Sequence, residues 1–242
     1  MKPVAYLYQE NAEALAPLIA TLAVQGGNVH AATPGKELKE ALFGLCPLGF
    51  LGAWVEEELA AEAARVLALL EPEAREAGRV DAVACGYSGP EGLFLAPRAL
   101  ARLFERRVFP GARVVWIGPK RPELAPGLKG VAEVSLYGGH PREGEEFLDR
   151  LPPPVRGPHV FYPHELRPLA QRADLVVFAG GNLPLEVLQP YHTVLALAEL
   201  PRAAYTLVER VIPPEAFLAE RLSLFSEEVL KLPLPPEAFF DL

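Results

Sequence analysis

Sulfur is nearly absent from this chain: it has two cysteines and a single methionine. Cys46 and Cys85 are too few for a disulfide framework and are not spaced as a metal pair. They fit a reducing compartment, each expected to be buried rather than reactive. No cluster of His and Cys suggests zinc, so no metal is expected. His30, His159, His164 and His192 are scattered, and each reads as structural. No apolar run reaches the ~20 residues that would span a bilayer. The start, MKPVAYLYQE, lacks the apolar core and small-residue cleavage site of a signal peptide. The chain therefore reads as cytoplasmic, with no membrane partner. Positive charge is in short supply as well, the formal net charge being −8. That argues against a nucleic-acid partner, which would ask for a basic face, but leaves room for a local cationic pocket. Asn and Gln are scarce, Arg outnumbers Lys, and there are 26 prolines. This mixture suggests a thermophile with a GC-rich genome. There are no internal repeats and no low-complexity linker.

Half the residues are apolar and 22% are charged, in a chain of 242. That is a globular composition with ample core for one large domain or two small ones. Its organising stretch is ARVVWIGPKRPE, residues 112–123. A short apolar run ends at Gly118 and meets Lys120 and Arg121 between two prolines. Strand, glycine turn and helix start is how a nucleotide-binding α/β unit begins. The later glycines of a G-x-G-x-x-G fingerprint are missing.

Before that stretch the pattern predicts strands over 3–8, 28–32 and 48–55. Helices are expected after Asn11 (as a cap), from Thr33-Pro34 to 45 and over 56–70. Segments 80–85 and 93–96 flank a turn and read as a hairpin or adjacent strands. After a helix over 98–109, strands are expected over 114–117, 132–137, 159–162, 175–179 and 193–197. Helices over 122–128, 142–151 and 165–172 and a short segment around 185–188 separate them. These strands are apolar on both faces, as a covered parallel sheet requires. A long helix over 213–231 and a tail complete the chain. The expected fold class is α/β. An N-terminal α/β domain (1–97) precedes a Rossmann-like parallel-sheet domain (98–212), and the C-terminal helix region (213–242) folds back on the first.

Residues 48–118 resemble the shikimate dehydrogenase family, two-domain NADP-dependent enzymes. The family stretches G-x-N-x-T-x-P-x-K, P-x-A-x-x-x-G-A-V-N-T-V and G-x-N-T-D-A-x-G have counterparts in order. They are Gly52 to Ala60, Pro72 to Val83 with Gly78 and Val80, and Gly86-Tyr-Ser-Gly-Pro-Glu-Gly92, the last one residue short. The resemblance implies an NADP(H)-linked oxidoreductase of a shikimate-like hydroxy acid. The family's reactive positions are altered. Ala60, or an acid from Glu56 to Glu58 if the alignment slips, stands at the catalytic lysine, and no lysine occurs from residue 40 to 119. Asp81 replaces an asparagine, and Ser88-Gly89-Pro90 replaces N-T-D, with Glu91 one position late. The segment Tyr6-Leu7-Tyr8-Gln9-Glu10 lacks the serine pair that holds the substrate carboxylate. Thr33-Pro34-Gly35-Lys36 echoes T-x-P-x-K one strand-helix unit too early.

Ketone reduction needs a proton donor within hydrogen-bond reach. Asp81 and Glu91 are the catalytic candidates in place of the missing pair. Glu56, Glu57 and Glu58 read better as acids that complement a helix dipole and face water. Glu91 reads as a solvated turn acid. Asp81, in an apolar strand, must either pair or face a cleft. Tyr8, Trp54 and Asp81 are the substrate-facing positions. For the cofactor the positions are Gly118, Lys120, Arg121, Gly139, His140, Arg142, Gly180, Gly181 and Asn182. Pro119 and Pro122 remove N–H donors that would cradle phosphate. Lys120 and Arg121 either supply charge instead or form a solvated turn. The lack of an acid after the 132–137 strand favours NADP over NAD. The expected site is an interdomain cleft taking a small-molecule ligand, and a homodimer is left open. Two functions follow. One is a shikimate dehydrogenase-like oxidoreductase with little or no such activity. The other is a non-catalytic ligand-binding or interaction protein derived from that family.

Overall fold

A computed structural model describes residues 2–240; Met1 and the last two positions of the expected tail lie outside the described residues. The chain divides into two compact units. One comprises residues up to Ala96 together with those from Leu218 onward, and the other is Pro97–Phe217. The fold is α/β, each unit being built on a six-stranded sheet.

In the first unit β1 (Val4–Leu7), buried along its whole length, pairs in parallel with β2 (Val29–Ala32) and β3 (Gly52–Val55). Between β1 and β2 runs α1 (Leu15–Val24), which buries Leu18 and Leu22. It ends where Gly26 turns to φ +69 and the Gly26 and Gly27 amides bond back to Ala23 and Leu22, a glycine C-cap. The helix expected from Thr33-Pro34 begins as a 3-10 turn and becomes α2 at Leu38–Gly44. β3 is half the expected length, because Cys46 to Phe50 are spent in turns, with Gly49 at φ +83. α3 (Glu57–Val66) stops short of 70. Leu67 turns extended, so that Leu69–Leu70 becomes β4, a two-residue strand beside β6. A short helix that the pattern does not announce, α4 (Pro72–Ala77), starts on a proline and ends at Gly78 in the left-handed region.

β5 (Ala82–Gly86) and β6 (Gly89–Leu93) form the hairpin, antiparallel and turning at Tyr87-Ser88. Its second strand lies earlier than expected, ending at Leu93, and Phe94 and Leu95 lead out of the sheet into α5 (Ala96–Arg107). The sheet order is β2-β1-β3-β5-β6-β4. Gly52 has to be glycine: a Cβ there would overlap the Val83 carbonyl across the β3–β5 pair.

Cys46 and Cys85 are joined as a disulfide with Cα atoms 5.3 Å apart. This corrects the expectation of two separate buried thiols, since both residues are half-buried and bonded. The bond ties the loop after α2 to the end of β5, two points that only the folded sheet brings together.

The second unit has β7 (Arg113–Ile117), β8 (Glu133–Tyr137), β9 (Arg156–Val160), β10 (Leu175–Phe178), β11 (Thr193–Ala196) and β12 (Arg210–Ile212). All pairings are parallel, and the order is β12-β11-β10-β7-β8-β9. β9 sits three residues before its expected start, because Pro163 already opens α7 (Pro163–Ala170) and Glu165 accepts from the Phe161 and Tyr162 amides. β12, only three residues long, has no counterpart in the sequence pattern. α6 (Pro141–Asp149) follows β8, whereas residues Pro122–Leu128 after β7 wind as a 3-10 helix carrying an internal Pro126. Val115, Ile117, Val176, Phe178 and Val194 from the central strands form the core with Leu166 and Leu169 of α7. His192 is fully buried in this unit. Its Nδ1 accepts from the Gln189 amide, its Nε2 meets the Ala170 carbonyl at 2.8 Å, and burial pulls its pKa down.

The last helix, α8 (Pro214–Glu228), crosses the division between the units. Within the first unit its Phe225 packs edge-on against Trp54, ring centroids 5.6 Å apart. The tail beyond it is fastened to the same unit: Ser223 donates to the Leu234 carbonyl and Thr21 to that of Ala238.

Candidate functional site

In the second unit the chain runs β7-β8-β9 toward one edge and β10-β11-β12 toward the other. The strands' carboxyl ends between β7 and β10 are therefore the topological switch point, where open α/β sheets bind ligands. Gly118 and Gly180 stand there. Gly118 has φ +105, and a Cβ on it would overlap the Gly180 carbonyl. Gly180 and Gly181 also have positive φ, at +120 and +81, and Asn182 after them is exposed. Gly118 thus serves a close backbone approach between two strand ends.

Lys120 departs most from expectation at this site. It is 8% exposed, so the solvated-turn reading is corrected. Its Nζ donates to the Gly118 carbonyl and to the Tyr137 carbonyl, each at 2.7 Å, and so bridges the ends of β7 and β8. Burial lowers its pKa to about 8, with Glu143 pulling the other way. Arg121 is half-buried and bonds Glu123 at 3.2 Å. On the β8 side Gly138 and Gly139 turn at φ +69 and +77, and Gly139 lies against the Lys120 stem. His140 caps α6, its Nδ1 accepting from the Arg142 amide, and the exposed Arg142 side chain pairs with Glu146. Gly118, Lys120 and Gly139 thus come together. His140, Arg142 and Asn182 lie on the surface.

A dinucleotide pyrophosphate needs free N–H donors at a helix start after the first strand. Here Pro119 and Pro122 offer none, and the element that follows is a 3-10 helix. The one cation buried at this crevice among the described residues is already held by two carbonyls of its own chain. These residues do not fit the group as a phosphate cradle.

In the first unit the carboxylate candidates are otherwise engaged. Asp81 is 1% exposed; its Oδ1 accepts from the Leu95 amide at 2.7 Å and its Oδ2 from the Ala96 amide at 3.0 Å. It caps the start of α5. Arg221 of α8 approaches at 3.4 Å. Burial raises the Asp81 carboxyl against the opposing pull of Arg221 and the two amides. The Arg221 guanidinium also lies 4.8 Å over the Trp54 ring. Trp54 is fully buried, with its indole N–H lacking a partner among the described residues. Tyr8 is half-buried beside Tyr6, and Glu91 is exposed at its place in β6. Asp81 and Trp54 share the Arg221 contact; Glu91 and Tyr8 do not join it.

In the Glu56–Glu58 cluster Glu57 and Glu58 are exposed in the first turn of α3, as expected, and Glu56 alone corrects the expectation of acids facing water. Glu56 is 7% exposed and accepts from the Tyr6 hydroxyl, which in turn accepts from the Ala14 amide at 3.2 Å. Burial, and then Glu56, raise the Tyr6 pKa. Glu57 pairs with Arg79. Glu58 accepts from the amides of Gln9, Glu10 and Asn11 and from the Asn11 side chain, and these bonds hold its carboxyl below the usual range. Asn11 is thus bound to Glu58 and does not cap α1, whose N-cap is Ala14. Ala60, which the sequence resemblance aligns with the family lysine, is completely buried.

Sequence reasoning missed Tyr6–Glu56, the Arg221 contacts and the Cys46–Cys85 bond. Arg221 is 140 residues from Asp81, and no periodicity links such positions.

The strand order of the second unit, read from β9 through β7 to β12, is 3-2-1-4-5-6, which defines a Rossmann-type architecture. Solved structures narrow this class. The chain is similar over 99% of its length to the Thermus thermophilus shikimate 5-dehydrogenase structure in complex with NADP(H) and shikimate, covering 97% of that chain at 21% identity and TM-score 0.76. It is similar to 5-ketofructose reductase of Gluconobacter sp. strain CHM43 at 13% identity and TM-score 0.81, covering 98% of this chain and 95% of that one. Quinate dehydrogenase from Corynebacterium glutamicum in complex with NAD matches at 17% identity and TM-score 0.78, over 99% of both chains. No family model matches the sequence, and no curated protein does. The chain has the shikimate dehydrogenase fold.

Proposed function

We propose that this chain is a shikimate dehydrogenase-like protein with little or no shikimate-dependent NADP reduction. The observation that carries the reading is Lys120. Its ammonium spans the Gly118 and Tyr137 carbonyls at the crevice where a dinucleotide would lie. Two prolines and a 3-10 turn replace the phosphate-binding helix start beside it. The proton-transfer side supports the same reading. Ala60 has no proton to give, and both oxygens of Asp81 are committed to backbone amides. A neutral acid in that position would have to abandon the start of α5 before it could donate to a substrate.

A second reading, a non-catalytic ligand-binding or interaction protein, is favoured by Trp54. A large indole fills the interior of the first unit under Arg221, at a position the sequence pattern expects to face substrate.

The experiment is a titration of pure protein with NADPH and with NADH, followed by nucleotide fluorescence and melting temperature, beside an assay for shikimate-dependent NADP reduction. A nucleotide present at about 100 times its Kd would stabilise the fold by ~2.7 kcal/mol. The expected outcome is no shift and no turnover. Robust turnover overturns the proposal; a melting shift without turnover selects the ligand-binding reading.

A further inference from the structure

Away from the strands' carboxyl ends, the second unit holds a cavity of 370 Å³ beneath the last turns of α5. Its walls are Phe104 and Val108 of α5 and its end, Phe109 just beyond, and Val131 before β8, and its two charged lining groups are Glu105 and Lys129. The volume is that of a small-molecule site. Phe104 and Val131 are buried, while Phe109 is 59% exposed, so the apolar floor opens through an aromatic lip. Glu105 and Lys129 are both exposed. Neither side chain makes a hydrogen bond or ion pair with any described residue, and they do not meet each other across the opening. The Arg residues of the last α5 turn, Arg106 and Arg107, do not line the cavity.

Opposite charges that share one apolar pocket without neutralising each other define a ligand with two charges and an apolar body. A cation is favoured at the α5 end on two counts. Glu105 is there, and the carboxyl end of a helix carries partial negative charge. An anion is favoured at Lys129. A singly charged anion would face Glu105 as well as Lys129, and a singly charged cation the reverse, so each would lose by repulsion part of what it gained.

We propose that this cavity binds a small zwitterion with an apolar side chain, of the α-amino acid class. Its ammonium meets Glu105, its carboxylate meets Lys129, and its side chain lies among Phe104, Val108, Phe109 and Val131. The site is separate from the crevice that holds Lys120 and does not depend on whether a dinucleotide binds.

The test is calorimetric titration of the full chain with L-phenylalanine, with hydrocinnamate (no ammonium) and with phenethylamine (no carboxylate). L-Phenylalanine is expected to bind at least about tenfold more tightly than either analogue, a difference of about 1.4 kcal/mol. Glu105→Lys and Lys129→Glu, both at exposed positions that leave the core intact, should each weaken it by a similar factor. The double exchange E105K/K129E should recover most of the affinity, with the ligand reversed. No heat up to the solubility limit, equal binding of the three compounds, or single exchanges that bind like the parent would each overturn the proposal.

Discussion

For single residues, burial decides what each charge can do. Lys120 is written between two prolines in a turn, which suggests solvent, yet its ammonium is enclosed and bonded to two carbonyls. Its folded pKa of about 8 lies below the ordinary 10.5. The unfolded chain therefore binds the extra proton between those values, and stability rises with pH across about 8 to 10.5. Chemical denaturation at about pH 7.5 and about pH 10 should show this gain in the parent and lose it in Lys120→Met. An unchanged pH slope in the variant would remove Lys120 as its source. His192 acts in a lower range. Its pKa is depressed, so it contributes stability that is lost as pH falls below about 6.5, the unfolded value.

Among the secondary-structure elements, the local patterns are read well wherever an element is long and one-sided or covered throughout. β7, β8, β10 and β11 fall within a residue of expectation, because a strand covered on both faces must be apolar throughout. The failures have identifiable causes. β4 and β12 are two and three residues long, too short to carry a period. β3 starts late because Cys46 to Phe50 are spent in turns, and α3 ends early where Leu69–Leu70 pairs with β6 instead. The start of α5 depends on Asp81, 14 residues before Leu95. Asp81→Ala removes the acceptor for two buried amides and leaves Arg221 opposite an uncharged residue. A loss of about 3–5 kcal/mol is expected, as for breaking a buried charge pair, with Asp81→Asn milder because it keeps an acceptor. A loss under about 1 kcal/mol on urea unfolding of Asp81→Ala, the size of one ordinary hydrogen bond, would show that the cap contributes little.

In the molecule as a whole, the two units are held by different means. The second relies on its covered parallel sheet, whereas the first adds the disulfide. Cys46 and Cys85 are separated by 39 residues, and closing a loop of that length stabilises by about 4 kcal/mol in the chain-entropy account. Reductant, or Cys46→Ser with Cys85→Ser, should lower the melting temperature of the first unit and leave that of the second, so that calorimetry resolves two transitions. A single, unmoved transition under reductant would show that the bond is not formed in solution.

The order of residues along the chain was enough to set the alternation of elements, the parallel sheet of the second unit and the absence of any lysine from residue 40 to 119. Those features are local: apolar period, glycine and proline placement, and residue identity at a motif. Assembly in three dimensions settled the rest: Lys120 is enclosed, Asp81 caps α5 and is faced by Arg221, Glu56 is bound to Tyr6, and two distant cysteines meet. Each of these joins residues from separate elements. Their energy comes from desolvation and pairing in the assembled sheet, and no short stretch of chain carries either.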